Sequence, residues 1–337
     1  MDKKTKIKFN VLAIFVIILF CFVLTPRTLQ NDTYYTIAIG EHILENGIDM
    51  EDPFSWHEDL EYTYPHWLYD VGTYLVFQAG NTIGIGGFTA IYIATAILSI
   101  ILGVILYYAL NKVCKNQLVA FFVTLGVMYL LKDFIAARAQ LVTYILFVLT
   151  ILFIERFIET KKKRYVIYLI IIPIIIANVH LAVWPFYFVI YLPYIVEYIL
   201  TLVSESSIYY KVSIKRNKKK LQRLSLKNSE KNKEKISKLT EKIETLQRVS
   251  EKLETKRKDR QDHPYKVIFK RNSNIKYLII VMVICIFTGL LTPLGDTPYT
   301  YLIKTMEGNT MSNISEHLPL TLINDLKTMT VIVLFLL

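Results

Sequence analysis

Apolar runs long enough to cross a lipid bilayer limit this chain more than any other feature. Asn10 to Leu24, Gly84 to Leu110, Leu118 to Leu131, Leu141 to Phe157, Tyr165 to Ala177, Pro185 to Leu202 and Ile275 to Leu291 are almost free of charge. Runs of this kind approach the length that about 30 Å of hydrocarbon requires. With 53% hydrophobic residues and a mean hydropathy of +0.39, a soluble fold cannot absorb them all. The expected fold is an all-α polytopic membrane protein with about seven transmembrane helices. Thr328 to Leu337 begins a partial eighth, read either as a half-span or as the start of a longer chain.

Charge orders these runs across the membrane. The start, MDKKTKIKF, is basic, and Leu24 to Thr28 lack the small-residue pattern of a cleavage site. An uncleaved first span is therefore expected rather than a signal peptide, with a cytoplasmic N-terminus in a multi-pass cell-membrane protein. The segment 31–70 carries ten Asp and Glu and no Lys or Arg, which places the loop 31–81 outside. Later inward ends are basic at Lys112, Lys115 and Lys161 to Arg164, with Lys132 a mild exception.

The formal charge of +11 is local. Residues 204–271 hold 22 Lys and Arg against 9 Asp and Glu, a net +13, so the rest of the chain carries −2. That distribution excludes a nucleic-acid surface spread over the chain. It sets three regions: an N-terminal transmembrane domain 1–203, a basic cytoplasmic insertion 204–271, and a segment 272–337 that contains a second external loop, 296–327. Within the insertion Ile236, Leu239, Ile243, Leu246 and Leu253 keep a 3-4 spacing interrupted at Ser250. This predicts a short coiled-coil helix, with a hairpin folded near Asn228 to Glu234. Its partner is a second protein, anionic lipid headgroups or water alone. Cys21, Cys114 and Cys285 lie far apart without CxxC spacing, so neither a disulfide framework nor a zinc site is indicated.

The polar chemistry collects at the outer ends of the runs. Asp32 opens a helix expected to end at Gly47, and it reads either as that helix's N-cap or as a general base toward an acceptor hydroxyl. Glu41 and Glu45 fall on the other side of such a helix, so Asp52 or an acid of the later loop, Glu316, is the supporting acid. Arg138 beside apolar spans needs an anion, either a carrier phosphate or an acid of the loops. His180 reads as a phosphate or metal ligand, or as a hydrogen-bonded structural residue. Trp56 and Trp67, with Tyr62, Tyr64 and Tyr69, line a substrate site or belong to an interfacial aromatic belt, and His66 is counted with the substrate-lining residues. His57 and His66 with Glu58 and Asp59 match no metal-ligand spacing, so no metal is assigned, although a divalent ion is left open as a cofactor. No phosphate loop, nucleophile elbow or HExxH is present.

The segments NDTYYTIAIGEHILENG, DPFSW at 52–56 and YPHWLYD at 64–70 carry a resemblance that the later motifs extend. These are RAQLVTYILF at 138–147, ANVH at 177–180, TPLG at 292–295 and ISEHLP at 314–319. In this order they resemble bacterial membrane proteins related to the GT-C glycosyltransferases, the class of protein O-mannosyltransferases and oligosaccharyltransferases. The resemblance implies a GT-C-like fold and inverting transfer of a sugar from a polyprenyl-linked donor, with Asp32 as catalytic base. The chain departs from that pattern at Thr36, His66 and His317, where relatives have His, Glu and Trp. Two other readings stand beside it: a transporter or flippase of lipid-linked sugar, and a membrane-anchored scaffold working through its basic coiled coil.

Overall fold

The computed structural model describes residues 3–56, 61–204, 207–225, 233–261 and 272–307. Its helices are α1 (Lys3–Leu24), α2 (Asn31–Asn46), α3 (Trp67–Thr82), α4 (Gly87–Cys114), α5 (Gln117–Leu130), α6 (Ala139–Thr160) and α7 (Lys163–Val179). They continue as α8 (Phe186–Val189), α9 (Leu192–Ser204), α10 (Ser207–Ser225), α11 (Lys233–Gln261), α12 (Ile275–Ile286) and α13 (Thr297–Glu307). The described residues form no strand. The nearest approach to strand pairing is one antiparallel bridge between Glu51 and Glu61. The expected all-α class therefore holds for the described residues.

Among the described residues four stretches are long and apolar enough to cross a membrane: Lys4–Leu24, Gly87–Cys114, Ala139–Thr160 and Leu181–Thr201. The other expected crossings fall short on length. Gln117–Leu130 and Ile275–Leu290 are apolar, but at 1.5 Å per residue they reach only about 21 and about 24 Å. Helix α7 has 17 residues with Pro173 inside it. Leu181–Thr201 is itself broken into a 3-10 turn, α8 and α9, because Pro185 and Pro193 each lack the amide donor that a continuous helix needs. The helix α3 was not anticipated, since Gly72, Thr73 and Gly80 weaken its helical signature.

The chain divides into two compact units. In the first, which holds Met1–Phe153, Ile167–Tyr187 and the residues from Ile284 on, α1 turns a narrow stripe inward. Ala13, Ile17 and Cys21 are buried at four-residue intervals, while Val11, Leu12, Phe15, Leu19, Phe22 and Val23 are exposed. An exposed apolar face of that size is costly in water and favourable against lipid. The buried stripe packs on Leu102 and Tyr107 of α4 and on Ala120 and Met128 of α5. Helix α2 lies across α3 at very short range: a Cβ at Gly40 would stand 2.2 Å from the Asp70 carbonyl oxygen. Gly47, at φ 87°, stops α2 at the predicted place, with its N–H on the Ile43 carbonyl.

The second unit, Ile154–Val166 with Phe188–Val283, contains the basic insertion. Here α10 and α11 pack on each other, and Lys211 near the start of α10 pairs with Glu254 far along α11, which makes them an antiparallel pair. The predicted apolar seam of α11 is the inward one. Ile243 and Ser250 are buried, and Ile236, Leu239, Leu246 and Leu253 are half-buried. The seam therefore meets a neighbouring helix of its own chain. On α10 the half-buried residues include Tyr210, Ser213, Ile214, Asn217, Leu221 and Leu224, and the cations are exposed.

Several sequence expectations lie outside the described residues: His57, Glu58 and Asp59, the centre of the hairpin turn, Glu316 with its ISEHLP segment, and the partial span from Thr328. Helix α13 occupies the beginning of the expected loop 296–327.

Candidate functional site

Asp32 is the second residue of α2, and the residue that caps the helix is Gln30, without a side-chain cap bond. This corrects the N-cap reading. The positive end of the helix still favours a carboxylate in its first turn, but the Asp32 side chain leaves the helix and receives Arg138 Nη2 on Oδ2. Arg138 follows buried Ile135, Ala136 and Ala137 at the entrance to α6. An acid of the first loop, one of the anions expected for Arg138, is thus in place beside it. The Asp32 side chain stays 63% exposed and the Arg138 side chain 27%. The carboxylate is thus held on one side and open on the other.

His66 stands beside this pair. It precedes α3, and its ring centroid is 4.9 Å from that of His180, with the planes 53° apart. Burial pushes His66 down to about 4. The Arg138 charge acts in the same direction and the Asp32 charge partly opposes it. His180 is pushed down to about 3, by burial first and His66 second. Both rings are therefore neutral at pH 7. Thr143 Oγ1 lies 3.0 Å from His180 Nδ1 and 3.1 Å from the Ala139 carbonyl oxygen. One hydroxyl proton cannot serve both, so the consistent arrangement has Thr143 donating to Ala139 and accepting from His180 Nδ1–H. That leaves His180 Nε2 as an acceptor.

Trp67 and Asn178 fix the frame. Trp67 Nε1 donates to Asn178 Oδ1 at 3.1 Å, while Asn178 Nδ2 donates to the carbonyls of Ile174 at 2.8 Å and Leu291 at 3.0 Å. The Leu181 N–H donates to the Pro65 carbonyl at 2.9 Å. Leu294 of the TPLG segment joins Ile39, Ile43, Tyr64 and Leu181 in one buried cluster. Segments near residues 32, 66, 138, 180 and 294 thus meet in one unit.

Other expected site residues lie elsewhere. Asp52 closes a local turn by accepting from Phe54 N–H at 2.9 Å, and its electrostatic neighbours are Tyr35 and Tyr64. Trp56 is 88% exposed. Glu316 lies outside the described residues. Among those residues no three His, Cys, Asp or Glu side chains gather in a way that would hold a metal ion.

Two features were not legible in the sequence. Asp70 of α3 is only 3% exposed, and burial pushes its carboxyl up to about 8 against the opposing hydrogen bond of Thr36. The second is a clamp on the loop after α2. Asp49 Oδ2 is 3.0 Å from His42 Nε2, and Tyr64 OH lies 2.5 Å from Asp49 Oδ1 and 2.9 Å from the Glu51 carbonyl oxygen. The Tyr64 hydrogen bond is the first cause holding Asp49 down at about 2. The pairing depends on how the loop returns from Gly47 to Tyr64, which spacing alone does not encode.

No protein-family model, no curated protein and no solved structure matches the chain.

Proposed function

We propose that this chain is a membrane glycosyltransferase that moves a sugar from a polyprenyl-phosphate-type donor to an acceptor hydroxyl at the outer face of the membrane. The observation that carries this reading is the Asp32 and Arg138 pair. An exposed carboxylate is tied to a guanidinium beside two neutral histidines, at a junction of helices in an apolar chain. The GT-C-like arrangement, the remaining bilayer crossings and the cytoplasmic side of the N-terminus belong to the same proposal.

The pair has a chemical logic for this transfer. Asp32 accepts the proton of the acceptor hydroxyl as its oxygen forms the bond to the anomeric carbon. The bond from that carbon to the carrier phosphate oxygen breaks, and the phosphate leaves with the electron pair. Protonation of Asp32 removes the anion that neutralises Arg138, so the guanidinium gains a free charge as the leaving group develops one. His66 and His180, being neutral, add no charge that would hold the phosphate after transfer.

The basic hairpin has a separate role in this reading. Helix α10 carries seven Lys and Arg and no acid. It follows an apolar stretch directly, where such clusters attract anionic headgroups of the cytoplasmic leaflet. We assign it to lipid rather than to catalysis.

The test is transfer from a radiolabelled polyprenyl-phosphate sugar in membranes. Asp32→Asn keeps the shape of the side chain and removes the base, and the general-base contribution implies a loss of about 10² to 10⁴ in rate at equal protein abundance. Deletion of residues 211–260 should leave transfer unchanged. Equal transfer by wild type and Asp32→Asn would sink the base role, and absence of any transfer by wild type would favour the transporter or scaffold.

A further inference from the structure

Because Asp32 neutralises Arg138 in the resting site, the cation expected to hold a carrier phosphate is already occupied. A second guanidinium is close by. Arg27 follows α1 after Pro26 and is exposed. No carboxylate among the described residues lies within ion-pair distance of it. The other cation near these helix ends, Lys132, sits 5.1 Å over the Tyr129 ring.

Arg27 forms part of the wall of an open pocket of about 590 Å³, together with Thr28, Tyr34, Phe88, Thr89 and Tyr92. The aromatic side is braced. Phe88 meets Tyr34 edge-on at 5.3 Å and Phe77 of α3 at 5.0 Å. A smaller cavity shares Thr28 and Tyr92 with this pocket and extends to Ala136 and Ala137, the two residues before Arg138.

Its chemistry defines its ligand. A guanidinium and two threonine hydroxyls donate to phosphate oxygens, and no carboxylate lines the wall to repel an anion. The rings and Leu29 present apolar surface to the first carbons of a hydrocarbon tail. A small inorganic anion would leave that surface unused, and a neutral lipid would leave Arg27 unmatched. We infer that this pocket binds the phosphate head of a membrane lipid, with Arg27 as its counter-ion. Identification of that lipid as the sugar donor rests on the glycosyl-transfer reading, whereas the binding itself does not.

The test uses the full chain in nanodiscs of zwitterionic lipid, with farnesyl phosphate and farnesol as probes and inorganic phosphate as competitor. Wild type should prefer the phosphate to the alcohol by about tenfold or more, the scale of one charge-assisted contact. Inorganic phosphate should compete only at far higher concentration. Arg27→Gln should abolish the preference, Arg27→Lys should retain part of it, and Thr89→Asp should abolish it by placing a carboxylate in the wall. Lys132→Gln, which removes a cation that already sits over the Tyr129 ring, should keep it. The proposal is overturned if a folded Arg27→Gln or Thr89→Asp variant keeps the preference, as it would if Arg27 only reached into bulk water. It is also overturned if Lys132→Gln alone loses the preference. No acceptor and no turnover enter the assay, so a failure of glycosyl transfer would leave this result standing by itself.

Discussion

At the scale of single residues, burial rather than identity decides what an acid does. Asp32 of α2 and Asp70 of α3 lie on helices that pack on each other, yet one is an open, paired carboxylate and the other a buried acid with a carboxyl near 8. The unfolded chain releases that proton near pH 4, and the folded chain holds it to about 8. The folded state thus binds the extra proton between those values, and stability falls as pH rises from about 4 to about 8. Asp70→Asn keeps the neutral shape without the penalty. Thermal unfolding should show the variant gaining on wild type with rising pH, most clearly above pH 8. Identical pH slopes for the two would remove the buried-acid reading. Asp32, Arg138, His66 and His180 stood out in the sequence as polar groups in or beside the external loops, and the structure places them near one another. Asp70 did not stand out, since its burial depends on Gly40 letting α2 come against α3, an approach that spacing alone does not encode.

At the scale of elements, the apolar helices and the basic hairpin were legible to different depths. On α11 the apolar seam stands out against charged neighbours, so the inward face was readable beforehand. On α1 every residue from Val11 to Leu24 is apolar, and composition says that a helix exists without saying which face is buried. The structure supplies the missing contact at Gly103 of α4, where a Cβ would lie 2.6 Å from Cys21 Sγ and 3.0 Å from Ile17 Cγ2. Gly103→Ala should therefore destabilise the α1 and α4 pair by about 1–3 kcal/mol, the cost of overpacking. Adding Cys21→Ala removes the nearer atom and should restore much of the loss. Denaturant titration of the solubilised protein reads both effects, and additive losses in the double variant would contradict the contact.

At the scale of the whole molecule, the site is a meeting of segments far apart in the chain. Asn178 alone bonds Trp67 and Leu291, and His66 touches His180 across more than a hundred residues. Order of motifs in the sequence hinted at this convergence. Which side chains meet could not be read there, because the breaks at Pro185 and Pro193 and the return of the loop after α2 set the approach. The central claim is that Asp32 and Arg138 act in transfer as one coupled unit. The most direct measurement is the rate of sugar transfer by Asp32→Asn, Arg138→Gln and the double variant at matched abundance. Coupling predicts that the double variant loses little more than the worse single one. Losses that multiply, or a double variant as active as wild type, would contradict it.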